Sequence, residues 1–305
     1  MVERRVKIHG EVEDCFCRKL NTRTRLMKTK GLTLTELAVV IATIVLLTGV
    51  LMPALNGSRE TAIRLVCQTN LTGIGRAMAA HADEHDGDYP RAGTASCVWS
   101  TVGHLPSWSW YKETAFNLGQ ATVTSSFYLL IKGRHLTPKQ FVCKGDKGAL
   151  EFSGNRAGPT PGYPDPLTWN DFGGGWGMGS IPSPWPGQFV SYAYHMPYIN
   201  SQYVSFSISD VFGPAAPVCA DRNPFLDRNA VGPQIGDNSA AHGGKGQNVL
   251  YKNGSVKFEK TVTVGIGGDN IYTYGGGPTG TAPTGNGIGA PAGYNDAYLV
   301  HEKQR

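Results

Sequence analysis

The sequence predicts an α+β fold: one long N-terminal helix packed on an antiparallel β-sheet, with long Gly/Pro-rich loops. Three observations carry that expectation. Residues 32–51 form an apolar run with a single charge, Glu36. Residues 54–85 place apolar side chains three and four positions apart, and the second half alternates apolar and polar residues around an Asn-Gly turn. With 40 Gly and 19 Pro in 305 residues, and only 17% charged residues, the remainder reads as a loop-rich body.

The basic character is local. Of 28 Lys and Arg, nine stand in residues 1–31 beside four acids, which leaves 19 bases and 19 acids in the rest of the chain. The net charge of +5 therefore belongs to the leader and not to a nucleic-acid surface, so nucleic acid is dropped as a partner. From Leu32 to Leu51 the run is about 30 Å long as a helix, the thickness of a bilayer core. Positive charge ahead of it predicts a cytoplasmic N-terminus and an extracytoplasmic body beyond Pro53. Met52-Pro53-Ala54 supplies a poor signal-peptidase site. The lipobox-like Leu65-Val66-Cys67 comes late, behind Glu60 and Arg64. A plain signal anchor leaves Glu36 unexplained, since a carboxylate in a span costs about 2.5–3.5 kcal/mol on insertion scales and calls for a partner.

The other elements follow in order. Over residues 54–86 an amphipathic helix is expected, with Ile63, Val66, Cys67, Leu71, Ile74, Met78 and His81 on one face; Asp86-Gly87-Asp88-Tyr89-Pro90 ends it. Residues 87–264 form the β-rich globular region. Within it Ser125–Lys132 predicts a short helix, and Phe189–His195 and Ala216–Ala220 predict strands. Asn248–Tyr251 and Ser255–Lys260 predict a hairpin whose Asn253-Gly254 turn supplies positive φ angles. Residues 265–305 read as a Gly-rich exposed loop closing on a short strand, Tyr298–Val300.

Gly31-Leu32-Thr33-Leu34-Thr35-Glu36-Leu37, with Pro53 further on, resembles the signal of type IV prepilins and type II secretion pseudopilins. The resemblance implies a pilin-like fold and cleavage after Gly31 by a membrane-embedded prepilin peptidase. It also implies N-methylation of the new terminus at Leu32, where Phe or Met is commoner. Glu36 then pairs with the α-amine of Leu32 on a neighbouring subunit and sets the stagger of a filament. Pro53 bends the helix where it leaves the membrane. The implied partners are the peptidase, other pilin or pseudopilin subunits, an inner-membrane assembly platform and membrane lipid; the protein is a substrate and not an enzyme. Met27-Lys28-Thr29-Lys30-Gly31 matches the family's short leaders, so translation is expected to start at Met27, with Cys15 and Cys17 upstream of it. Cys67-x-x-Asn70-Leu71, Phe141-x-Cys143 and His242 followed by Asn248-Val249-Leu250-Tyr251 and Asn253-Gly254 resemble motifs of a large bacterial subgroup of these proteins. Asn253 stands there in place of the usual Asp.

Several constellations compete with a purely structural role. His81-Ala82-Asp83-Glu84-His85 fits a His-x-x-Glu-His zinc pattern, but no third ligand helix is evident and a polar helix end is the simpler reading. Asp221, Asp237, Asn238, His242 and Asn253 could gather around calcium, against the commoner role of such residues in closing turns. Cys67, Cys97, Cys143 and Cys219 allow three disulfide pairings, or remain buried thiols. Trp108, Trp110 and Tyr111 suit either a loop-rich core or sugar stacking, which makes a membrane-tethered glycan-binding module the competing function. No nucleophile elbow, Walker loop or dinucleotide fingerprint occurs.

Overall fold

The computed structural model describes residues 31–93, 98–99, 120–152, 171–172, 186–197, 208, 213–227, 232–283, 291–293 and 295–301. Residues 1–52 and 53–305 are two compact units. The first carries the stretch Leu34–Met52, whose mean hydropathy is 2.4 and of which nothing is buried; it is long and apolar enough to cross a membrane. This stretch opens helix α1 (Leu34–Glu84), a single 51-residue helix that includes Pro53.

In the second unit, α1 presents Cys67, Leu71, Ile74, Ala77, Met78 and His81 as its buried face. Ile63 is only partly buried, and Val66, expected on that face, is 41% exposed. Val66 adjoins Cys67 in sequence, so the helical turn carries it away once Cys67 defines the inward direction. The helix ends where the breakers stand. Asp86 and Gly87 take φ of 54° and 90°, and the Gly87 amide donates back to the Ala82 carbonyl at 2.8 Å. The expected short helix is α2 (Val123–Lys132), begun by Thr122, whose hydroxyl accepts from the Ser125 amide. At its other end Arg134 is left-handed (φ 60°), and the His135 amide returns to the Leu130 carbonyl.

Two short strands, β1 (Val98–Trp99) and β2 (Gln120–Ala121), pair in parallel. The main sheet consists of β3 (Tyr192–His195), β4 (Pro217–Asp221), β5 (Gln247–Tyr251), β6 (Val256–Glu259) and β7 (Leu299–Val300). It is antiparallel, in the order β6-β5-β4-β3-β7. Each expected strand is present with its ends moved by a few residues. The hairpin turn differs in its dihedrals: Gly254 has φ 80°, but Asn253 is not left-handed. Asn253 instead uses its carboxamide oxygen to accept from the Ser255 amide and hydroxyl.

Alternation along the strands sorts the core into two faces. Tyr192, Tyr194, Leu250 and Val300 join α1 and α2 in one cluster; Ala193, Val249, Tyr251 and Leu299 join another. The register shift between Pro217 and Cys219 lets Val218 and Cys219 both enter the helix-side cluster while Ala220 faces the other. Ile271 and Tyr272, both 0% exposed, belong to that second face, and the Leu299 amide donates to the Ile271 carbonyl. The expected exposed loop is thus interrupted: residues 269–273 are buried, while 267, 268, 275, 278, 279 and 281 around them are exposed. Its glycines turn the chain, and a pair of apolar residues between them covers the sheet.

Candidate functional site

At the N-terminal end, Gly31, Leu32 and Glu36 are exposed. The Glu36 carboxylate closes a local cap, accepting from the Thr33 amide at 2.8 Å and the Thr33 hydroxyl at 2.9 Å. Both bonds end on the same oxygen. Residues 1–30, with Met27, Cys15 and Cys17, lie outside the described residues, as do Cys97, Trp108, Trp110 and Tyr111.

The second site lies within the body, where three distant segments meet. Cys67 on α1 is disulfide-bonded to Cys143, across 76 positions of sequence. One turn further along α1, Asn70 donates its amide to the Val142 carbonyl at 3.1 Å, so the Cys-x-x-Asn spacing grips the Phe141-x-Cys143 strap at two points. The third segment brings His242, 96% buried, with Nε2 3.5 Å from Cys143 Sγ. His242 holds a left-handed backbone, φ 55°, in a 3-10 turn (Ala241–Gly244), an uncommon state for a residue with a Cβ.

Asn248 at the start of β5 ties the imidazole to Asp221 at the end of β4. Its Nδ2 donates to Asp221 Oδ2 at 3.1 Å and lies 3.1 Å from His242 Nε2, while its backbone amide donates to Asp221 Oδ2 at 2.7 Å. The same Asp221 oxygen lies 3.4 Å from His242 Nε2, so carboxylate, carboxamide and imidazole meet at one point. Gly145 makes room for the ring: a Cβ there would sit 2.7 Å from His242 Nδ1. The Gly145 amide also donates to Cys143 Sγ at 3.3 Å.

The end of β4 is a hub. Beside Asp221, the fully buried Arg222 pairs with Asp146 at 2.8 Å and donates to the carbonyls of Gly187 and Val190. Burial lifts the Asp146 carboxyl above its ordinary range, against the pull of Arg222. Asn223 reaches the carbonyls of Tyr272 and Leu299 and so ties the hub to the second face. Above the site, Glu60 of α1 binds Arg64 at 2.6 Å and Lys245 at 2.7 Å, and Arg64 stacks over Phe258.

The remaining expected residues fall elsewhere. Cys219 is a buried free thiol, its pKa driven up by burial and by Asp221. The five candidate calcium ligands do not converge: Asn253 lies beyond the end of β5 that is opposite Asn248. Asp237 accepts from the Gln234 amide and closes a local turn, while Asn238 donates to the carbonyls of Gly244 and Lys260 and ties its loop to the chain beyond β6. His81 and His85 stack with ring centroids 3.9 Å apart and planes 15° apart. Parallel rings send their lone pairs side by side and not toward one ion, while Glu84 pairs with His135. Among the described residues, the one group of three close metal-type ligands is Cys67, Cys143 and His242.

The sequence marked His242 and the two cysteines through their motifs, but it gave Asp146, Arg222 and Gly145 no role. The shared sequence neighbourhood of Cys143, Gly145 and Asp146 was the available signal. No family model, curated protein or solved structure matches the chain.

Proposed function

We propose that the chain is a pseudopilin-like structural subunit with a pilin-like body. In this reading it is anchored in the inner membrane by residues 32–53, with the N-terminus cytoplasmic and the body extracytoplasmic. Prepilin peptidase cuts it after Gly31, and it then assembles through α1 into a filament of the type II secretion or type IV pilus kind. The observation that carries the reading is Glu36, a lone carboxylate at the start of the otherwise uncharged, exposed apolar stretch Leu34–Met52. Its local cap engages only one carboxylate oxygen, which leaves the other for a cation from a neighbour. A freed α-amine at Leu32 is such a cation at the same depth, and a buried pair of this kind specifies register more than it adds stability.

Glu36→Val tests this. The variant should insert in the membrane and be processed, yet fail to enter filaments when co-expressed with wild-type subunits. Incorporation equal to wild type would remove the carboxylate from assembly and favour a tethered binding module.

A further inference from the structure

We propose that Cys67, Cys143 and His242 form a site for a thiophilic divalent cation, with zinc as the best fit, that becomes available when their disulfide is reduced. This inference does not rest on the filament reading. The two sulfurs and the imidazole nitrogen lie within 4.8 Å of one another and are buried. Two thiolates and a neutral imidazole are the donor set that zinc and related soft cations select.

The spacing fits. With zinc–sulfur and zinc–nitrogen bonds of about 2.3 Å and 2.0 Å, tetrahedral geometry puts a sulfur and a nitrogen ligand about 3.5 Å apart. Cys143 Sγ and His242 Nε2 already stand 3.5 Å apart. Asp221 Oδ2, 3.4 Å from the same nitrogen, is not within reach of both sulfurs, so the protein supplies three ligands and a fourth position stays open. The main change asked of the site is at the sulfur pair, which must part from a bond to about 3.8 Å.

Two contacts bear on the bound form. Asn248 Nδ2 lies 3.1 Å from Nε2, so a cation that takes the Nε2 lone pair displaces this contact and leaves Asn248 on Asp221. The Gly145 amide points at Cys143 Sγ and stabilises it as a thiolate. The left-handed backbone of His242 is a strained feature kept in place by these contacts.

Chemically, the disulfide and the cation are alternative occupants. An external dithiol cleaves the Sγ–Sγ bond, delivering two electrons and two protons to the cysteines while its own sulfurs join as a disulfide. Binding of the divalent cation then releases both thiol protons.

The test uses the full chain in detergent micelles, reduced anaerobically with a trialkylphosphine that leaves as the phosphine oxide, and titrated with cobalt(II) as a spectroscopic stand-in for zinc. One cobalt per chain should bind, with thiolate-to-cobalt charge transfer in the near ultraviolet and tetrahedral d–d bands in the visible. The oxidised chain should give neither. His242→Ala should weaken binding by more than about 100-fold, beyond the 10–100-fold of an outer-shell change. Circular dichroism of each sample reports whether the fold persists, and denaturing the reduced wild type should abolish the bands. The proposal is overturned if the reduced wild type shows no such bands, if the oxidised chain shows them, if folded His242→Ala binds as wild type does, or if the denatured chain binds as tightly as the folded one.

Discussion

Gly145 is the smallest residue of the buried junction and one of its most constrained. Its space is filled by the His242 ring, so Gly145→Ala must push the imidazole or its backbone aside. Overpacking of that kind costs about 1–3 kcal/mol, and the urea midpoint should fall accordingly. An unchanged midpoint would mean that the ring moves freely, contrary to the contacts that fix it. Arg222 offers a sharper test. Arg222→Met leaves Asp146 buried without its cation and should cost about 3–5 kcal/mol, whereas adding Asp146→Leu should recover most of the loss, because a buried ion pair adds little over apolar packing. A double variant as unstable as the single one would place the value of Arg222 in its bonds to Gly187 and Val190 instead. None of this was legible in the sequence. A charged side chain is expected at the surface, and only the fold shows that Arg222 is enclosed at the end of a strand.

At the level of elements, the disulfide links α1 to the strap that follows α2, closing a loop over 76 positions. The chain-entropy account gives such a link about 4.5 kcal/mol, so Cys67→Ala with Cys143→Ala should lower unfolding stability by about that amount without a cation present. Calorimetry or urea titration of the double variant checks this, and a loss under about 1 kcal/mol would contradict it. The elements themselves were largely readable. Apolar spacing along α1, the Asp86-Gly87 stop and the alternation around Asn253-Gly254 each act locally, so sequence neighbours carry the information. Ile271 and Tyr272 were hidden because their burial depends on a sheet assembled from strands far away in sequence. The meeting of Cys67, Cys143 and His242 was hidden for the same reason, although each stood within a recognisable motif.

For the whole molecule, buried titratable groups give opposing pH dependences. Burial pushes the Asp171 carboxyl up to about 7, against hydrogen bonds from Thr122 and Phe172. Its contribution is full below the ordinary carboxylate value near 3.8 and is lost as pH rises toward 7, a difference of up to about 4 kcal/mol. Burial lowers His195 to about 4 and His301 well below its ordinary value, so their contribution is present above about 6.5 and is lost as pH falls. Asp171→Asn should therefore remove one of the opposing carboxylates, so that urea midpoints fall more, relative to wild type, between about pH 6.5 and about pH 4. A variant profile parallel to wild type would remove Asp171 from the balance. These effects concern the body, but the proposed role of the molecule is decided at its other end. Glu36 has a partner in assembly only if the chain is cut to expose the Leu32 amine. The most direct measurement is mass spectrometry of the chain recovered from cells that contain a prepilin peptidase. The expected result is a mature N-terminus at Leu32, carrying an N-methyl group. A chain that retains Gly31 and the residues before it, or one cut after Ala54, would contradict it.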